Sequence, residues 1–360
     1  MNQVSESIKG GTYVAYVGTY THGTSIGIHI YDVDIVAGVM KSRKVVPINN
    51  PSHLTVSKNG KFLYSIADEG VEAFRILPDG DLEKINGKPI GGIRGCYVDV
   101  DNQNRFLFVG GYHDGRVSMM RLREDGGIEG IADGVFHKGM GRNIAERNSK
   151  PHVNCVKLTP VKQNYLCAVD GGLDHVKIYK IDYEAGKLTV ADILRCPLDS
   201  APRMICFSPD EEYAYVLCEL KNTIEIYKYN CTPNGPKFEF IESVSVMDAK
   251  DKASGSGASD LEMSDDGKYL FCSIAGKNAA TIYEVNDSEG KLTLVCSNDI
   301  SGDYPKTLGV FPGGQHFASL NHDSDEITIF QMDFEKKQFL MRTKPLYIET
   351  PNCIYIHKLR

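Results

Sequence analysis

The stretch Ala201–Tyr227, APRMICFSPDEEYAYVLCELKNTIEIY, sets two short apolar runs on either side of a turn-like SPDEE, with a third run behind a second polar turn. Runs this short, rich in β-branched and aromatic residues and bounded by Pro, Asp and Asn, read as antiparallel strands. A Pro-Arg pair opens the first run and Glu219 closes the second. In an antiparallel pair the start of one strand lies beside the end of the next. Arg203 and Glu219 are therefore expected to face each other, cation against carboxylate, at one end of the pair.

Outward from this stretch the same pattern returns. NPSHLTVSKNGKFLYSIADEGVEAFRI begins at Asn50 and KPHVNCVKLTPVKQNYLCAVDGGLDHVKIYKI at Lys150. ASDLEMSDDGKYLFCSIAGKNAATIYEV begins at Ala258, YPKTLGVFPGGQHFASLNHDSDEITIF at Tyr304, and a looser copy at Ile93. Each copy gives three strands, and a weaker fourth often follows, as at Leu188–Leu194 and Phe238–Val244. Units start near residues 51, 94, 151, 202, 259, 305 and 351, a mean step of 50 residues. Four strands per step of that size mark a β-propeller blade. The last start, TPNCIYIHKLR, supplies one strand, and TYVAYVGTYT, GIHIYDV and VMKSRKVVP supply three at the other end. The expected fold is all-β: a seven-bladed β-propeller with four antiparallel strands per blade. N- and C-terminal strands share one blade and so leave no free edge. The whole of residues 1–360 reads as one propeller domain, with residues 1–11 a short flexible segment. The chain has no Trp, so a WD signature is absent.

Composition narrows the function. Net charge is −7, which disfavours nucleic acid or anionic membrane as a general partner. No apolar run approaches the roughly 20 residues of a membrane span. The 10 Cys are scattered, without CxxC, mostly inside apolar runs, and are expected to be reduced, buried thiols. The start MNQVSESIKGG has no apolar signal core. These features imply a soluble cytoplasmic protein with no cofactor and no metal, and leave its oligomeric state open.

Polar residues open the first strands: His53, Arg94, His152, Arg203, Asp260, Lys306 and Asn352. Several follow a proline (Pro151, Pro202, Pro305, Pro351), which should hold its predecessor extended and aim the next side chain. Second strands end near Asp68, Tyr112, Asp170, Glu219, Ala275, Asn321 and Tyr20, and all of these are expected at the same mouth of the propeller. Val153, Ile205 and Leu261 read as core. Asp170 and Asp174 of DGGLD read as turn formers, with a cation site there as the alternative, although the spacing does not match an EF-hand loop. His22, His113, His175, His316 and His322 read as turn or surface residues, though His322 follows a second strand and could reach the mouth. His137, Lys138, Arg142 and Arg147 form a basic loop leading to His152, either solvated or a lid over an anion. AKDKASGSGASD (249–260) reads as a flexible connector.

In order along the chain, YVGTYTHGTSIGIHIY, KPHVNC with AVDGGLDHVKIY, and APRMICFSPDEEYAYVLCEL resemble the seven-bladed propeller lactonase family. That family includes propeller-type bacterial 6-phosphogluconolactonases and fungal carboxymuconate lactonizing enzymes. The resemblance spans nearly the whole chain and implies His152, Arg203 and Glu219 as catalytic residues. Lys306, Arg94, Asp260 and Asn321 are the substrate-binding candidates. The chain departs from the family pattern in four places: Ala275 stands for an Arg, Asp260 for a Glu, Lys306 for an Arg and Met204 for a His. Lactone hydrolysis needs an activated water, a stabilised oxyanion and a proton for the leaving oxygen. Glu219 or His152 can move protons and Arg203 can hold the oxyanion. No G-x-S-x-G elbow is present, so no serine nucleophile is implied. The expected function is a sugar-lactone hydrolase acting on a small anionic lactone. 6-Phosphogluconolactone, in the pentose phosphate pathway of carbohydrate metabolism, leads. A carboxymuconate-type cycloisomerase and a non-catalytic ligand-binding propeller stand as alternatives.

Overall fold

A computed structural model of the chain describes residues 11–141, 149–160, 162–232, 235–248 and 255–359. Residues 1–10 of the expected flexible start, Arg142 and Arg147 of the basic loop, and residues 249–254 of the small-residue connector lie outside them.

The strands, in chain order, are β1 (Tyr13–Thr19), β2 (Gly27–Asp34), β3 (Val39–Pro47), β4 (Leu54–Val56), β5 (Phe62–Ala67), β6 (Gly70–Ile76), β7 (Leu82–Lys88), β8 (Tyr97–Val100), β9 (Phe106–Gly111), β10 (Arg116–Leu122) and β11 (Ile128–Phe136). Then come β12 (Val153–Leu158), β13 (Tyr165–Asp170), β14 (His175–Asp182), β15 (Lys187–Arg195), β16 (Pro202–Phe207), β17 (Tyr213–Cys218), β18 (Thr223–Thr232) and β19 (Gly235–Ser245). The rest are β20 (Gly257–Met263), β21 (Tyr269–Ala275), β22 (Ala279–Val285), β23 (Leu292–Asp299), β24 (Pro305–Val310), β25 (His316–Asn321), β26 (Glu326–Asp333), β27 (Gln338–Met341), β28 (Leu346–Tyr347) and β29 (Pro351–Lys358).

They pair into seven antiparallel sheets, each a path of four strands, with β28 an extra partner of β26. The sheet β29-β1-β2-β3 joins the C-terminal strand to three N-terminal ones, as expected. The fold is the all-β seven-bladed β-propeller. Contacts divide the chain into two units. One, Met1–Ser52, Leu77–Asp81 and Val246–Arg360, holds β29-β1-β2-β3, β20–β23 and β24–β28. The other, His53–Ile76 and Leu82–Ser245, holds β4–β7, β8–β11, β12–β15 and β16–β19.

Alternation along the strands buries one apolar set per face. In the second unit Tyr64, Val98 and Leu107 fill the layer between β4–β7 and β8–β11. Phe108, Val156 and Ala168 fill the next, and Cys155, Ile205 and Val216 the one after. The first unit packs Val17, Tyr31, Leu320 and Ile327 in one cluster, and Phe271, Leu308 and Phe317 in another. Nine of the ten cysteines are buried or partly buried and all are free thiols; Cys231 is exposed.

One expectation fails at the strand starts. The residues before proline are not extended: Asn50, Ala201, Tyr304 and Thr350 have φ of 49°, 47°, 57° and 43°. Such angles are costly for residues with a Cβ and persist only when the surroundings fix them. The fixing contact recurs. Asp174 Oδ1 accepts the Ala201 N–H at 2.9 Å, Asn278 Oδ1 accepts Tyr304 N–H at 2.9 Å, and Asp325 Oδ1 accepts Thr350 N–H at 2.8 Å. Each acceptor is itself left-handed, in a turn of the preceding sheet. Capture of that N–H outweighs the local preference of a residue before proline.

Candidate active site

Register places each candidate. Taking as reference the first-strand residue paired two positions before the end of the second strand gives Leu54, Val98, Val156, Ile205, Leu308 and Ile354; β21 runs one residue further than its counterparts, and Leu261 takes that place in its sheet. Arg203, Lys306 and Asn352 lie two residues before their references, where Cys96, Asn154 and Ser259 also fall. His152 and Arg94 lie four before, with Ala201 and Tyr304. His53 and Asp260 lie one before. The seven residues expected at one position therefore occupy three. Pro151 is not the counterpart of Pro202: Val153 pairs Asp170 as Pro202 pairs Cys218. The apolar residues Val156, Ile205, Leu261 and Leu308, not the prolines, carry the alignment.

The position two before the reference is a β-bulge in five sheets, at Asn154, Arg203, Ser259, Lys306 and Asn352. A bulge turns its side chain out of the ladder. Asn154 Nδ2 donates to Pro202 O at 3.3 Å and Ser259 Oγ to Pro305 O at 2.6 Å. Asn352 Nδ2 donates to Ser52 O. Asn154 and Ser259 thus stitch neighbouring first strands. Arg203 and Lys306 put cations in the same place.

Arg203 Nη1 donates to Glu219 Oε2 at 2.9 Å, with the Arg side chain 25% and the Glu side chain 10% exposed. The expected pairing is present. Glu219 follows β17 directly, and its N–H donates to Ala201 O at 3.0 Å, so the strained strand start and the carboxylate are tied together. His152 is buried. Its N–H donates to Asp170 Oδ1 at 2.9 Å and its ring stacks on Tyr112 at 4.3 Å. Nδ1 lies 2.6 Å from Tyr112 O. A carbonyl can only accept, so Nδ1 carries the proton and Nε2 the lone pair. Gly171 N–H closes the turn on His152 O at 2.9 Å. A Cβ on Gly171 would lie 2.5 Å from Asn154 Nδ2 and 3.1 Å from Pro202 O, so only glycine lets the His152 turn approach the start of β16.

Arg94 pairs with Asp68 at 3.1 Å. The His113 pKa is lowered by burial and then by the charges of Arg94, His152 and Lys150, which marks a cationic neighbourhood around that imidazole. His113 itself is exposed and packs edge-on against Tyr112.

In the other unit, Lys306 Nζ lies 5.6 Å from the centre of the Tyr20 ring. His322, half-buried, packs edge-on against Tyr20 and occupies the position that Glu219 has in its own sheet. Burial and then Lys306 lower its pKa. Asn321, one residue earlier, is fully buried, with its amide bonded to Ser301 O, Thr328 Oγ1 and Ser319 Oγ. Asp260 is also buried and accepts the N–H groups of Leu261 and Leu308 at 2.9 and 2.8 Å. His53 at the same register position accepts the Val98 N–H through Nδ1 at 3.2 Å. Asp260 thus joins adjacent first strands. Ala275 does occupy the position equivalent to Glu219.

Three histidine expectations change. His175 and His316 are buried rather than on turns or the surface, and His137 is buried rather than part of a solvated loop. His137 Nδ1 lies 2.6 Å from Asp170 Oδ2. One donor atom each of His137, Asp170 and His175 lies within 4.8 Å of the other two. Burial pushes the Asp170 carboxyl up, but the His137 contact and the His152 N–H together hold it below the ordinary aspartate value. Tyr112, which fixes the His152 tautomer through its main chain, gives no sequence signal of that role.

A family model for the seven-bladed β-propeller lactonases matches residues 14–356. The chain is 31% identical to a 6-phosphogluconolactonase of Bacillus subtilis over 356 residues, covering 96% of this chain and 99% of that one. It is 29% identical to a 6-phosphogluconolactonase of Formosa agariphila, covering 89% and 92%. The solved periplasmic gluconolactonase of Pseudomonas aeruginosa superposes with a TM-score of 0.88 at 24% identity over 96% of this chain and 99% of that one, a likeness of fold.

Proposed function

This chain belongs to the seven-bladed β-propeller lactonase family, and we propose that it hydrolyses 6-phosphogluconolactone through His152, Arg203 and Glu219. It is a lactone-hydrolysing enzyme. The observation that carries the site is the bulge-borne Arg203 held by Glu219 in place of the polar stitch found at the equivalent Asn154. The name of the 31% identical relative supports the phosphorylated substrate, as do the cations Arg94 and Lys150 around His113.

Water attacks the lactone carbonyl carbon while His152 Nε2 takes its proton. Negative charge grows on the carbonyl oxygen, where the Arg203 guanidinium stabilises it. Glu219 fixes that guanidinium before the reaction, so little reorganisation is needed. The carbon–ring-oxygen bond then breaks. The His152 imidazolium returns the proton to the leaving oxygen, giving the open hydroxy acid. Arg94 is assigned to the phosphate.

The test is hydrolysis of freshly generated 6-phosphogluconolactone beside glucono-lactone, with the spontaneous rate subtracted, for wild type, His152→Ala, Arg203→Met and Glu219→Gln. Acceleration of the phosphorylated lactone, lost in folded His152→Ala and Arg203→Met, supports the reading. A wild-type rate equal to buffer on 6-phosphogluconolactone, with glucono-lactone accelerated, removes the phosphate from the assignment and leaves the lactonase.

A further inference from the structure

We propose that His137, Asp170 and His175 form a binding site for a divalent first-row transition-metal ion of the zinc class. One donor atom of each residue lies within 4.8 Å of the other two. Two imidazole nitrogens and a carboxylate oxygen suit Zn²⁺, Co²⁺ or Ni²⁺ rather than Mg²⁺ or Ca²⁺, which prefer all-oxygen shells.

The second observation is an unsatisfied buried atom. His175 Nε2 is out of contact with solvent and has no hydrogen-bond partner among the described residues. Buried polar atoms are nearly always paired, and each such orphan calls for an explanation. A lone pair on a neutral imidazole is a metal ligand. The carboxylate is also arranged for the role. Asp170 Oδ1 takes the N–H groups of His152, Gly172 and Leu173 at 2.9, 3.0 and 3.1 Å, which fixes the group and turns Oδ2 to His137 Nδ1 at 2.6 Å. An ion bound between that oxygen and His137 Nδ1 replaces the proton they share, as binding at a protonated ligand does.

The three residues come from separate elements. His137 follows β11, Asp170 ends β13 and His175 opens β14. An ion there ties the end of one sheet to the next, directly behind the His152 main chain that Asp170 holds. This role is structural and independent of which lactone is hydrolysed.

The test uses full-length protein stripped with chelator and titrated with Zn²⁺ by calorimetry, with Co²⁺ as a spectroscopic probe. The expected result is a single equivalent bound, a raised Tm, and cobalt d–d bands without thiolate charge transfer. Affinity should fall by roughly tenfold or more in His137→Gln and in His175→Gln. It should persist in His316→Gln, which alters another buried histidine. If a variant fails to fold, the wild-type cobalt spectrum still decides, because thiolate bands would assign the ion to cysteine. Thiolate bands, unchanged affinity in folded His175→Gln, or no binding at millimolar Zn²⁺ would each overturn the proposal.

Discussion

Glu219 acts through Arg203 rather than on water, and a double-mutant cycle separates the two roles. The contact includes an N–H···O bond of 2.9 Å between side chains 25% and 10% exposed. A hydrogen bond between charged groups in that setting contributes about 1.5–3 kcal/mol, above an exposed pair and below a fully desolvated one. Arg203→Met removes the oxyanion partner and should lower kcat/KM by roughly 10²–10³-fold. Glu219→Gln leaves a neutral acceptor in place, so the guanidinium loosens, and kcat/KM should fall by roughly tenfold. In the Arg203→Met background the same Glu219→Gln change should do almost nothing, because there is no longer a guanidinium to hold. The coupling, read from kcat/KM in an assay of lactone opening, should be about 1.4 kcal/mol, the equivalent of that tenfold loss. Thermal unfolding of all four proteins runs beside it, and a loss of 1 kcal/mol should lower Tm by roughly 1–2 °C in a chain of this length. Multiplicative losses in kcat/KM, with Glu219→Gln as harmful without Arg203 as with it, would refute the positioning role and make Glu219 the base.

Asp174→Ala removes the carboxylate that accepts the N–H groups of Asp199, Ser200 and Ala201. It should cost roughly 3 kcal/mol or more and also lower kcat/KM by freeing the strand start that carries Arg203; a urea midpoint equal to wild type would show that the φ of Ala201 is held by something else. Gly171→Ala drives a Cβ against Asn154 and Pro202 and should cost roughly 1–3 kcal/mol, seen in calorimetry. Burial, then Lys157, lowers the His53 pKa from 6.5 to about 3. The unfolded chain therefore binds that proton first as pH falls, so the His53 contribution is whole above pH 6.5 and lost between 6.5 and about 3, by up to about 1.4 kcal/mol per pH unit. Urea unfolding at pH 7 and pH 5 should show that loss in wild type and a smaller one in His53→Gln; equal losses would count against it. Arg94→Met should raise KM for the phosphorylated lactone by roughly tenfold and leave glucono-lactone unchanged; paired initial-rate measurements showing equal KM changes for both lactones would refute the phosphate assignment.

The sequence carried most of the fold because a propeller repeats one local rule. Short strands between Asp, Asn, Gly and Pro turns need no long-range information to be recognised, and the shared terminal blade followed from counting them. The Arg203–Glu219 pair was legible for the same reason, since antiparallel pairing alone brings those positions together. Prolines misled the alignment of the other sheets. Pro151 lies two residues further from its ladder than Pro202 does, so the Pro-X pattern equates His152 with Arg203 although His152 matches Ala201. Aligning on Val156, Ile205 and Leu308 would have given the register, because those side chains must enter the core whatever the turn does. The His137–Asp170–His175 group had no local signature. Its members are separated by 33 and 5 residues and meet only after two sheets pack.

The bulge explains how a repeated scaffold acquires chemistry at few positions. The same backbone irregularity recurs at Asn154, Arg203, Ser259, Lys306 and Asn352, and so do the strand-start angles beside it. At Asn154 and Ser259 the bulged side chain bonds a main-chain carbonyl of the next first strand, and at Asn352 it bonds the Ser52 carbonyl. At Arg203 the same position carries a charge whose placement Glu219 sets. The neighbouring His152 turn can sit close only because Gly171 lacks a Cβ. Function here is a substitution at a structural position, which is why residue type reveals it and topology does not. It follows that Arg203→Asn should restore a stitch like that of Asn154, keeping Tm near wild type while abolishing turnover. Arg203→Met should lose both stability and turnover. Equal Tm values for the two variants would show that the bulge position has no structural role in this sheet.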